Sequence, residues 1–166
     1  MRHLQVLALA LAAAAIPAAA QAAQPSLATV LAASDWLNGK PDAASLRGKV
    51  VLVDVFTFGC YNCKNVTPNL KKLHADNADT LVVIGIHSPE TPYEHARANV
   101  VEALKAQGIV WPVALDPDMK LWNAYGIEYW PTQLIFDKHG RLRKTVVGDS
   151  QDELVDDTVR ALAAEN

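Results

Sequence analysis

The chain is predicted to fold as one α/β domain, a central mixed β-sheet flanked by helices on both faces. Three observations carry this. Lys49 to Phe56 is an apolar run of strand length, and the segment Lys64 to Leu73 places Val66, Leu70 and Leu73 at helical spacing. Thr80 to His87 is a second apolar run, so the strand–helix–strand succession implies a parallel pair with a right-handed crossover. Trp130 to Phe136 and Arg141 to Val147 flank Asp137-Lys138-His139-Gly140, a type I turn, and read as an antiparallel hairpin.

Arg2, the Ala/Leu-rich run Leu4 to Ile16 and the A-x-A site Ala20-Gln21-Ala22 have the form of an export signal spanning residues 1–22. Cutting fits after Ala22 or after Ala23. The apolar run is too short and too rich in alanine for a stable membrane span, so no permanent membrane anchor is expected. Residues 23–34 read as a linker, with Leu27, Val30 and Leu31 available for a short amphipathic contact, and residues 35–166 as the domain. Trp36 to Pro41 is an edge strand with an Asn38-Gly39 turn. Lys49 to Phe56 is apolar on both faces, as a strand covered on both sides should be, with Asp54 its one acid. Pro68 kinks the following helix. Thr91-Pro92-Tyr93-Glu94 is a capping box with proline at the first helical position. It opens a helix burying Tyr93, Ala96, Val100 and Leu104 and ending at Gly108. Pro112 confines Trp111 to Leu115 to the start or edge of a sheet. Asp116-Pro117 caps a helix containing Leu121, Trp122 and Tyr125. Ser150-Gln151-Asp152-Glu153 is a second capping box, opening a helix with Leu154, Val155, Val159 and Leu162 inward.

The chemistry lies in Cys60-Tyr61-Asn62-Cys63, where the first long strand ends and a helix begins. Free N–H groups and the helix dipole favour a thiolate there. Cys60 is the candidate nucleophile and Cys63, one turn on, the resolving thiol. Export implies an oxidising compartment, periplasm or cell exterior. These are the only two cysteines of the chain, and closing so small a loop stabilises little, so reactivity explains them better than stapling. A zinc site would need further ligands, and with no third cysteine and scattered histidines no metal is expected. No cofactor is expected either. With 15 basic against 18 acidic side chains and no basic block, nucleic acid is an unexpected partner.

Asp54, six residues before Cys60, reads either as a buried acid that accepts the Cys63 proton or as a hydrogen-bonded core carboxylate. Glu128 and Glu90 are proton-relay candidates, although Glu128 fits a solvent-facing residue equally well. Trp130 and Pro131 fit a substrate-binding loop if their peptide bond is cis, since the Trp130 backbone would then meet an extended chain. A trans proline opening the strand is the alternative. Gly59, Tyr61 and Asn62 complete the candidate substrate-binding set.

Taken together these residues resemble the thioredoxin-like superfamily, and among its members the exported TlpA/ResA type. Asp54 falls at that family's buried-acid position, Pro68 at its helix kink and Pro131 at its cis-proline. The resemblance therefore implies the thioredoxin fold, with a TlpA-type insertion over His87 to Glu128, between the CxxC helix and the cis-proline. A narrower likeness is to the thioredoxin-like domains of DipZ-type membrane proteins and those preceding NHL repeats. It is carried by Cys60-Tyr61-Asn62-Cys63, His87-Ser88-Pro89-Glu90, Leu115-Asp116 and Tyr129-Trp130-Pro131. Gly59 stands where thioredoxin usually has tryptophan, and Tyr61-Asn62 replaces Gly-Pro. The resemblance implies an exported thiol–disulfide oxidoreductase acting on protein dithiols or disulfides, apocytochrome c among them, with a membrane or soluble redox partner. Two other activities are compatible with a thioredoxin-like scaffold. Thr57-x-x-Cys60 echoes a thiol peroxidase motif, but Val53 stands where that motif needs proline. A copper or haem-ligand chaperone would need a ligand such as His87 or Met119 beside the cysteines.

Overall fold

The computed structural model describes residues 25–165. The expected export segment and its cleavage site lie outside the described residues. Six strands form one sheet in the order β1-β4-β3-β2-β5-β6. These are β1 (Trp36–Leu37), β2 (Val50–Phe56), β3 (Leu81–His87), β4 (Val113–Leu115), β5 (Thr132–Phe136) and β6 (Leu142–Val147). The β2/β3 and β3/β4 pairs are parallel, while β1/β4, β2/β5 and β5/β6 are antiparallel. Five helices accompany them: α1 (Leu27–Leu31), α2 (Tyr61–Asp76), α3 (Arg97–Gln107), α4 (Lys120–Tyr125) and α5 (Asp152–Ala164). None of the described helices is long and apolar enough to cross a membrane.

Strand alternation divides the core in two. Val50, Leu52 and Phe56 of β2 pack with Val66 and Leu70 of α2, Leu104 of α3 and Val159 of α5. Val51, Val53 and Val55 face the other way, toward Val30 of α1 and Leu121 and Tyr125 of α4. Asp54 shares the parity of Leu52 and Phe56, so the strand aims its carboxyl toward the α2 side. Within the expected linker, Leu27–Leu31 form α1, whose Val30 is fully buried; its N–H donates to the Tyr125 hydroxyl, which donates in turn to the Ser26 carbonyl.

β3 sits between two strands, and its Gly85 is needed for close packing. A Cβ there would meet Phe56 Cε1 and Val113 Cγ2, each at 3.0 Å. Gly85→Ala is expected to destabilise the domain by about 1–3 kcal/mol through overpacking, read as a lowered midpoint in urea with an unchanged slope.

Three expectations are corrected. The Thr91 capping box forms, but it opens a 3₁₀ turn over Pro92–His95, and Ala96 in extended conformation interrupts the chain before α3 begins at Arg97. The helical phase is therefore set later: Val100 and Leu104 are buried, Ala96 is exposed, Tyr93 is 67% exposed, and Glu94 is buried instead. The Ser150 box does not form. Ser150 lies at φ 61°, Gln151 is the N-terminal cap without a side-chain bond, and Asp152 and Glu153 meet the helix only as charges on its first turn. Leu154 is partly exposed, leaving Val155, Val159 and Leu162 as the buried face of α5.

Candidate active site

The end of β2 delivers Thr57, Phe58 and Gly59 to the N-terminus of α2. Cys60 is the N-cap of that helix: its Sγ accepts the Cys63 N–H at 3.2 Å, and its N–H donates to the Thr57 carbonyl at 3.3 Å. Both cysteines are free thiols. Cys60 is partly exposed, whereas Cys63 is buried, 4% exposed. Tyr61 and Asn62, between them, are exposed; Tyr61 keeps 77% of its surface open.

Burial pushes the Cys63 thiol far above its ordinary range, and the hydrogen-bonded Cys60 side chain and the charges of Asp54 and Cys60 add to this; only the Thr57 backbone acts the other way. Asp54 is 4% exposed. Burial raises its carboxyl to about 7, with the side chain of its cross-strand neighbour Gln133 pulling it partly back. Its Oδ1 has no hydrogen-bond partner. Asp54 is thus an acid whose charge changes near neutral pH, and its charge is one of the influences that hold the Cys63 thiol protonated.

The Trp130–Pro131 peptide is cis. Pro131 is buried and Trp130 partly buried, its indole N–H donating to the Ser88 carbonyl at 3.1 Å and its ring 4.2 Å from that of Trp122. Ser88 joins three parts of the site, for its own N–H donates to the Phe56 carbonyl and its hydroxyl to Asp116 Oδ2. Asp116 also accepts the N–H groups of Leu121 and Trp122, which places the start of α4.

Sequence reasoning assigns no role in the site to Glu94, Ser88 or Gln107. Glu94 is 3% exposed and accepts the Gly59 N–H at 2.9 Å, the Glu90 N–H at 2.9 Å, the Thr91 N–H at 2.7 Å and the Thr91 hydroxyl at 3.0 Å. Burial opposes its charge, but the surrounding donors outweigh it and hold the carboxyl below its ordinary value. Gln107 Nε2 donates to the Phe58 carbonyl at 3.2 Å. Glu90 itself is exposed and enters the site through its backbone alone, and Glu128 is exposed near the proline loop. His87 is buried, stacked on Phe58 with centroids 5.4 Å apart and edge-on to Phe56 at 5.5 Å. Burial lowers its imidazole to about 4, although Glu94 acts to raise it. Among the described residues no group of three or more His, Cys, Asp or Glu side chains is placed to hold a metal ion.

A thioredoxin-like family profile matches residues 48–142. The chain is 36% identical over 132 residues to the protein DipZ of Mycobacterium tuberculosis, covering 76% of this chain and 19% of DipZ. It therefore spans about a fifth of that relative's length. It is 29% identical over 131 residues to the thiol-disulfide oxidoreductase YkuV of Bacillus subtilis, covering 78% of this chain and 88% of YkuV. Among solved structures, a thiol-disulfide isomerase from Corynebacterium glutamicum superimposes with a TM-score of 0.74 at 28% identity, over 81% of this chain and 94% of that one. A strand-to-helix cysteine pair, a buried acid on the same strand and a cis-proline loop, with a family match over more than half of its length, show that the chain belongs to the thioredoxin-like family.

Proposed function

We propose that the chain is an exported thiol–disulfide oxidoreductase that reduces protein disulfides. The observation that carries this reading is the asymmetry of the pair: one sulfur caps a helix at the surface, the other lies buried one turn below it. Cys60 as thiolate attacks one sulfur of a substrate disulfide; that S–S bond breaks, and the departing substrate thiolate takes a proton from solvent. Cys63 then loses its proton to Asp54 and attacks the Cys60 sulfur. The mixed disulfide breaks, the second substrate sulfur leaves as a thiolate and takes a proton from solvent, and the chain holds a Cys60–Cys63 disulfide. Two electrons pass from the dithiol to the substrate. The exposed rings of Tyr61 and Tyr129 and the Trp130–Pro131 loop are offered as the surface on which an extended substrate segment lies. The apolar run Leu4 to Ile16 and Ala20-Gln21-Ala22 support export to the periplasm or beyond.

The test is a trap. Cys63→Ser, incubated with a disulfide-containing protein, is expected to accumulate a covalent adduct through Cys60, seen by mass spectrometry and released by dithiothreitol. The Cys60→Ser chain is expected to form none. Adduct formation through Cys63 in place of Cys60, or no adduct with either variant, would remove the assignment of nucleophile and resolving thiol.

A further inference from the structure

Gly59 is not a glycine for its backbone, because its φ lies outside the positive region where six other glycines of the chain are found. It is a glycine because of what stands beside it. A Cβ on Gly59 would collide with Glu94 Oε1, the oxygen that accepts the Gly59 N–H. The other carboxylate oxygen faces away and takes all three donors of Glu90 and Thr91. One buried carboxylate therefore bridges two segments far apart in sequence, the loop that carries Cys60 and the turn that leads into α3. Gln107, from the far end of α3, holds the same loop through the Phe58 carbonyl. The loop between β2 and the nucleophile is fixed by side chains that come from outside it.

We propose that Glu94 is a positioning residue for the dithiol: by clamping the Gly59 N–H it holds Cys60 in the place from which the Cys60–Cys63 disulfide closes, and Gly59 and Glu94 are a matched pair. This rests on the redox reading above. Closing the disulfide is an intramolecular step whose equilibrium depends on how well the two sulfurs are pre-organised. Freeing the loop lowers that advantage. A carboxylate is needed because its two oxygens both accept. A glutamine would present an NH₂ group to donors on one side, so it is expected to restore only half of the clamp.

The test uses the full chain and three readouts. In the reduced wild type the Gly59 amide is expected to exchange slowly with solvent, and in Glu94→Ala at least about tenfold faster. Equilibration against glutathione is expected to show the Cys60–Cys63 disulfide about tenfold less favoured in Glu94→Ala, a potential about 30 mV higher, with Glu94→Gln in between. Gly59→Ala, which must expel the carboxylate, is expected to give the same shift, and the double variant Gly59→Ala/Glu94→Ala no more than Glu94→Ala alone. Leu162→Ala, a core truncation in α5, serves as control: it lowers the melting temperature and leaves the potential unchanged. Unchanged Gly59 exchange in Glu94→Ala overturns the clamp. Faster exchange with an unmoved potential, additive shifts in the double variant, or a shift in Leu162→Ala equal to that in Glu94→Ala overturns the positioning role. The amide measurement needs no redox turnover, so its outcome is separate from that of the Cys63→Ser trap.

Discussion

Asp54→Asn is expected to slow turnover of a protein disulfide about a hundredfold near pH 8, at the low end of what a positioned proton acceptor contributes. The reason lies in Cys63. Its thiol is buried, and burial, the Cys60 sulfur and the Asp54 charge together hold it far above the ordinary thiol range. A thiol so placed does not ionise unaided at neutral pH. Asp54 is raised to about 7 by burial, so in the proposed mechanism it would accept a proton just where the reaction has to run. A carboxyl with an ordinary value would be too weak a base, and an acid above 9 would stay protonated. Asparagine keeps the shape and the contact with Gln133 but accepts no proton. The first step, attack by Cys60, does not pass through Asp54, so single-turnover formation of the mixed disulfide is expected to change little. Resolution should carry the whole loss. In the wild type its rate should climb as pH rises through about 7, and in Asp54→Asn that inflection should be gone. An equal loss in both steps, or an inflection that survives the substitution, would show that another group takes the proton.

Much of this site is legible in the residues because it is local. The apolar run ending at Phe56, the cysteine pair and the apolar repeat at Val66, Leu70 and Leu73 specify strand, loop and helix within one short stretch. Asp54 stands out as the single charge in β2, and strand parity alone sends it to the face on which α2 lies. What was not legible is held together through space. By patterning Glu94 is only the last member of a capping box, with Tyr93 as the buried residue. The box does form, but its glutamate is also the partner of an N–H 35 residues earlier, and no periodicity reports that. A signal was available in Gly59, a residue without a side chain at a place where no turn demands one. Ser88 carries no such mark: it joins Trp130, Phe56 and Asp116 through a carbonyl, an amide and a hydroxyl, none of which patterning distinguishes. The Ser150 box failed for the opposite reason. The letters fit, but the chain passes through positive φ at both Gly148 and Ser150, and the hydroxyl does not cap the helix.

Asp54 and His87 are also expected to leave opposite marks on stability. Asp54 titrates near 7 folded and near 3.8 as a free carboxyl, so between those values the folded chain holds a proton that the unfolded chain has lost. Stability from this group is complete below about pH 4 and is lost as pH rises through about 7, a change of about 4 kcal/mol for so buried a carboxyl. His87 behaves in reverse. It titrates near 4 folded against 6.5 free, so between those values the unfolded chain binds the proton. Its contribution is complete above about pH 6.5 and is lost as pH falls through about 4, a change of about 3 kcal/mol. The two windows nearly coincide, and the two slopes oppose each other. The reduced wild-type chain should therefore show an almost flat urea stability between about pH 4 and 7. Asp54→Asn removes one slope and exposes the other. The variant should match the wild type near pH 4 and exceed it by about 4 kcal/mol near pH 8, with stability falling on the acid side as His87 gains its proton in the unfolded chain. Parallel stability curves for the two chains across this range would mean that Asp54 is an ordinary carboxylate, and with that the proton acceptor for Cys63 would be lost as well.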